Sequence, residues 1–167
     1  MLIDCSYFTK GPRHVLNASL GVLPNPNAQE VCESLEAYIE YYQERYLKAV
    51  LGHALGNKVH TYLICLEEDG RHNEHFDEVC ERLKESYADY VFYQILHHNI
   101  SQTTITGTVR LKCANDYVSP IQRQVDTWND MVEVHNEFKE WARSKDCPFD
   151  SIVIDEDLVT KINVLNI

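Results

Sequence analysis

From residue 28 onward, apolar positions recur with a helical period. Val31, Leu35, Tyr38, Ile39, Tyr42, Leu47, Val50 and Leu51 stand three and four apart and predict an amphipathic helix. Asn27 suits its N-cap, with Glu30 three residues on as in a capping box. Gly52 marks a break, after which Leu55, Val59, Tyr62, Leu63 and Leu66 predict a second helix, closed by Glu67, Glu68, Asp69 and Gly70. A third, from about Asn73, carries Phe76, Val79, Cys80, Leu83, Tyr87, Val91 and Ile95 on one face. Ser119 and Pro120 read as an N-cap followed by proline at the first helical position. The fourth helix they open carries Ile121, Val125, Trp128, Met131, Val132, Phe138 and Trp141. Four helices starting near residues 28, 54, 73 and 119 are expected to pack around Leu35, Ile39, Leu63, Leu83, Ile95, Val125, Trp128 and Phe138.

The remaining segments lack that period. The first seven positions after Met1 read as a short strand. Gly11, Pro12 and the run Pro24, Asn25, Pro26, Asn27 then punctuate an irregular stretch, either an arm or a wrapped segment. Residues 102–111, rich in β-branched side chains around Gly107, predict extended chain. The end alternates Ile152 and Ile154, then Leu158, Ile162, Val164 and Ile167, as short strands or a tail. The expected architecture is mainly α: one domain over residues 1–167, with an extended N-terminal arm (1–27), a helical body (28–146) and a C-terminal tail (147–167). A β-like loop (101–118) separates the third and fourth helices.

Charge changes this picture. Asp and Glu number 26 against 15 Lys and Arg, a formal net charge of -11. Phosphate binding needs clustered cations, so DNA and anionic lipid are excluded as primary partners. A basic protein partner fits, as does a surface past which nucleic acid slides without sticking. The six cysteines, Cys5, Cys32, Cys65, Cys80, Cys113 and Cys147, form no close pair. No secretory signal is expected, because an acid follows Met1, Leu2 and Ile3 at once. The thiols are therefore expected to be buried and reduced, in a cytosolic protein.

The search for chemistry yields no catalytic, cofactor-binding or metal site. Gly52, Gly56 and Lys58 imitate a phosphate loop, but the spacing is one residue short and Val59 stands where a Mg-binding hydroxyl is required. Of the eight histidines, His72 and His75 are one helical turn apart, His53 and His60 share a face, and His97 and His98 end the third helix. None has the pairing of a zinc helix or an adjacent thiolate. Glu33, Glu36, Glu40 and Glu44 line one side of the first helix, a solvated face or an acidic surface for a basic partner, with Lys48 positioned to pair with Glu44. Tyr38, Tyr41, Tyr42 and Tyr46 crowd the same helix and cannot all face one core stripe. Tyr38 and Tyr42 fit the core, and Tyr41 and Tyr46 are candidates for an interface.

The order of elements resembles the small head–tail connector (head-completion, portal-adaptor) proteins of tailed phages and prophages, particularly those of Bacteroides-type elements. The matching phrases begin with Tyr46, Leu47, Leu51 and Gly52 at the end of the opening helix. Tyr87, Ala88, Asp89 and Tyr90 follow in a long helix, then Thr103, Thr104, Gly107 and Val109 in an extended loop, and Asn129 in a long final helix over residues 119–145. The likeness covers about three quarters of the chain. It departs where residues 67–73 are highly charged and where Val109 falls two positions after Gly107. The resemblance implies a ring of identical subunits that extends the portal channel and joins it to the tail. Its partners would be other copies of itself, the portal protein and a tail-side connector, with DNA passing through unbound. It further implies assembly in the host cytoplasm and residence at the virion head–tail junction, with no active site and no cofactor. Thr104, Ile105, Gly107, Val109 and Leu111 would join Tyr41 and Tyr46 as interface residues, the loop over 103–111 docking on a neighbour. The alternative is an acidic cytosolic inhibitor or immunity-type protein that binds one basic partner.

Overall fold

Helix α1 (Pro26–Leu51) turns at Gly52 into α2 (His53–Asp69), and α3 (Glu74–His98) is followed by a hairpin, β1 (Ser101–Thr104) and β2 (Gly107–Arg110), and then α4 (Ile121–Ala142). The computed structural model describes residues 1–16, 18, 26–98, 101–104, 107–110, 120–150 and 152–165. The mainly helical architecture matches the expectation, each helix starting within two residues of its predicted place. Pro26 takes the first position of α1, where its missing N–H costs nothing. Asn27 therefore lies inside the helix, not at its cap. Ser119 lies outside the described residues, and Pro120 directly precedes α4.

The two glycines that imitate a phosphate loop instead build a corner. Gly52 has φ 79° and ψ 160°, a region open essentially to glycine, and so lets α2 fold back at once. Gly56 then sits against the α1 backbone: a Cβ there would stand 2.6 Å from the Leu47 carbonyl oxygen. The pair runs antiparallel, since Glu67 near the end of α2 shares a cleft with Glu33 and Glu36 near the start of α1. Gly70, at φ 64°, closes α2, and the Asn73 side chain caps α3 by accepting from the amides of His75 (3.1 Å) and Phe76 (3.2 Å). Helices α3 and α4 also run antiparallel, with Arg82 over the Trp141 ring, Tyr93 against Trp128, and Arg123 over Phe92.

Seven of the eight expected core side chains are buried. Trp128 is half-buried because its indole N–H reaches out to the Thr160 carbonyl at 2.9 Å. The first residues wrap onto this core and form no strand. Leu2, Ile3 and Phe8 are buried, and the Leu2 amide donates to Gln43 Oε1 at 2.6 Å. Cys5–Phe8 is a 3-10 turn capped by Asp4. The tail also lacks a strand among the described residues. Glu156–Val159 is a 3-10 turn, Leu158 is buried, and Asn129 holds the Ile162 backbone through both its amide atoms. The Asp155 amide donates to the Ala49 carbonyl at 2.8 Å, tying the tail to α1.

The wrap overturns one expectation. Cys5 and Cys32 are joined in a disulfide, with Cα atoms 5.7 Å apart, instead of standing as separate reduced thiols. Nothing in their 27-residue separation predicts this, because only the packing of the first turn against α1 brings them together. Cys80 is buried as expected, with its thiol pushed up to about 12 by burial. Cys147 is half-buried and Cys65 is exposed, and Cys113 lies outside the described residues.

Candidate interaction surface

An aromatic column crosses the molecule from its centre to the outer face of α1. His135 and Tyr46 stand at its inner end, with ring centroids 5.7 Å apart. Tyr46 meets Tyr90 at 5.3 Å, Tyr90 meets Tyr42 at 5.9 Å, and Tyr42 meets Tyr41 edge-on at 4.9 Å.

The inner end is a closed polar seam. His135 Nδ1–H donates to the Leu158 carbonyl (2.9 Å), which leaves Nε2 to accept from the Tyr46 hydroxyl (2.9 Å). Ser86 Oγ then donates to the Tyr46 oxygen at 2.6 Å. This chain joins α1, α3, α4 and the tail at one point. A serine, a tyrosine and a histidine in sequence could move a proton, but none of the three is more than 1% exposed. A substrate has no approach to them, so their work here is structural. Burial lowers the His135 pKa, partly opposed by its bond to the Leu158 carbonyl, and raises that of Tyr46. Tyr46, expected at an interface, is thus a core residue: its hydroxyl finds two buried partners, and its ring packs on Tyr87 at 4.7 Å. Gln124 shows the opposite accounting, being fully buried with neither amide atom bonded among the described residues.

The outer end is open. Tyr41 is 78% exposed and forms a ridge between two grooves. One, of about 500 Å³, is lined by Ser34, Ala37, Tyr38, Tyr42 and, from the end of α3, His98. Its rings are ordered, with Tyr38 and Tyr42 stacked at 6.3 Å and His98 lying 5.8 Å from Tyr38. The other, of about 680 Å³, is lined by Glu44, Arg45, Lys48, His53, Val153 and Asp155 among others. An exposed tyrosine beside an exposed arginine is the side-chain chemistry enriched in the anchors of protein–protein interfaces.

The expected acidic face is divided. Glu44 pairs with Lys48 at 2.5 Å, which lowers the Glu44 pKa. Glu33, Glu36 and Glu40 line a separate cleft with Glu67 and Met1, whose amino group forms an ion pair with Glu67. Thr104 ends β1, and Gly107 and Val109 belong to β2, with Thr104 paired to Gly107 and Gln102 to Val109. Ile105 and Leu111 lie outside the described residues. The hairpin emerges three residues after His98, and no described strand extends it beyond two.

The histidine pairs do not converge. His72 Nδ1 lies 3.0 Å from Asp77 Oδ2, while the His75 ring faces Phe149. Among the described residues, one group of three ligand-bearing side chains does come together, Cys5, Cys32 and Glu36, with its two sulfurs bonded to each other. Sequence reading missed His98, Arg45, Val153 and Asp155 as neighbours of Tyr41, because three separate segments bring them there. It also missed His135, although its place between Val132 and Phe138 on the apolar stripe of α4 was a visible signal. No helix among the described residues is long and apolar enough to cross a membrane. No protein-family model, curated protein or solved structure matches the chain.

Proposed function

We propose that this chain is a structural subunit of a phage or prophage head–tail connector, closing with copies of itself into a ring that extends the portal channel toward the tail. The observation that carries this reading is the hairpin. Two strands of four residues have free edges on both sides among the described residues, and an isolated two-stranded ribbon is marginal in water. A neighbouring subunit supplies what the ribbon lacks, and a head-to-tail contact of this kind closes into a ring when its rotation permits. The Tyr41 ridge, close to the hairpin root through His98, offers the complementary surface. The net charge of -11 keeps DNA mobile in the channel by repelling its backbone. Assembly takes place in the host cytoplasm, and the finished ring sits at the head–tail junction with the portal protein on one side and a tail-side connector on the other.

The test replaces residues 102–108 with a short Gly-Ser segment and compares both forms by sedimentation velocity. The helical circular dichroism should stay nearly intact while the higher oligomer disappears. A native chain that stays monomeric at high concentration, with portal protein present, overturns the ring. Stoichiometric capture of a basic protein by that monomer would establish the acidic-inhibitor reading, which the acidic cleft on α1 favours.

A further inference from the structure

We propose that when the Cys5–Cys32 bond is reduced, Cys5, Cys32 and Glu36 hold one zinc ion. The i, i+4 spacing of Cys32 and Glu36 places them on one face of α1, with Cys32 Sγ 3.9 Å from Glu36 Oε1. Cys5 is presented from the opposite side by a turn that buried Leu2, Ile3 and Phe8 anchor in the core. The two sulfurs and a carboxylate oxygen all lie within 4.8 Å of one another. Zn–S bonds of about 2.3 Å set tetrahedral ligand atoms about 3.8 Å apart, so on reduction the two sulfurs, no longer bonded, move apart by side-chain rotation to take the ion. Cys32 is buried while Cys5 and Glu36 are half-buried, which leaves one side open for a water as fourth ligand. Two thiolates select a soft ion such as zinc over magnesium or calcium. Glu33 and Glu40 in the adjoining cleft add negative potential that favours any cation, while Glu67 there is paired with the Met1 amino group.

The redox balance is simple. Two electrons and two protons pass to the two sulfurs from a dithiol, which leaves as its own disulfide. Zinc then displaces both thiol protons. The N-terminal wrap is thereby clamped to α1 in both conditions, by a covalent bond in an oxidising medium and by a metal in a reducing one.

The experiment uses the full chain, oxidised and dithiol-reduced, with the dithiol removed under nitrogen. Zinc chloride is titrated into each form in competition with a chromophoric chelator. The reduced chain should take one zinc more than the oxidised chain, whose uptake measures any contribution from the exposed histidines. Cys32→Ser should lose that zinc. Glu36→Gln, at a half-buried position of α1, should keep its helical signal and bind zinc more weakly by at least the roughly 10- to 100-fold that loss of an outer-shell partner costs. A reduced chain that takes no more zinc than the oxidised one overturns the proposal. So does a Cys32→Ser or Glu36→Gln chain that binds as tightly as the native one.

Discussion

Tyr46 and Tyr41 lie five residues apart on one helix and end in opposite environments, one 1% and the other 78% exposed. At the inner end each polar atom of the tyrosine–histidine–serine seam has a named partner, and the rings pack from several elements at once. At the outer end the same side-chain type stands between two grooves with no covering element among the described residues. The difference shows that one side-chain type on one helix meets two environments. Inside, the tyrosines close the space between helices while their hydroxyls bond across it. Outside, Tyr41 leaves a large apolar ring with a polar tip exposed to solvent. The two ends should therefore respond differently to substitution: the interior through stability, the rim through association.

The largest effect is expected at the centre. Leu83→Ala removes a fully buried side chain beside Tyr87 and should lower the unfolding free energy by about 2–5 kcal/mol in urea titration. A loss under about 1 kcal/mol would mean that the interior is not packed as described. Reducing the Cys5–Cys32 bond in the presence of a zinc chelator should cost roughly 3–4 kcal/mol, from loop closure over a 27-residue separation. Comparing urea midpoints of the oxidised and reduced chains measures it.

Asp89 supplies a pH test of the same interior. Burial pushes its carboxyl up to about 6, even though Arg13 Nη1 stands 3.1 Å away and pulls it down. The folded chain thus holds this proton more tightly than the unfolded one, whose value is near 3.8. The resulting stabilisation is fully present below about pH 4 and is lost as pH rises through 6. Asparagine cannot titrate. The stability of Asp89→Asn relative to the native chain should therefore move in the variant's favour by about 2 kcal/mol between pH 4 and 7. A difference that stays flat over that range would show that the carboxyl is well solvated.

Tyr46→Phe keeps the ring and removes one hydroxyl, leaving His135 Nε2 without its donor. It should cost about 1–3 kcal/mol by thermal denaturation. Tyr41→Ala sharpens the comparison from the other side. It should change stability by no more than about 0.5 kcal/mol while weakening self-association in sedimentation velocity. Equal effects from the two tyrosine variants would erase the distinction between seam and rim.

The helical frame was legible because it rests on local periodicity. Leu35, Ile39, Leu83 and Phe138 announce their burial through neighbours three and four positions away, and Asn73 and Gly70 mark helix ends by their own backbone preferences. The rim was half legible. Four tyrosines on one helix signal that some must face outward, and a helical projection of α1 sets Tyr41 about 140° away from Tyr46, which falls on the stripe of Leu35, Ile39 and Tyr42. What the buried Tyr46 hydroxyl bonds to depends on Ser86 and His135, contributed 40 and 89 positions further along.

The sequence by itself determined the four helices, the break at Gly52, the extended segment after α3 and the acidic balance, since each follows from residue type and short-range spacing. The tertiary structure alone decided that Cys5 meets Cys32, that two misleading glycines form a helix corner, and that both chain ends wrap instead of forming strands. It also decided that His98 and Asp155 flank Tyr41. Those outcomes depend on contacts between segments far apart in the chain, where one residue's chemistry sets what it can bond to but not which distant partner the packing delivers.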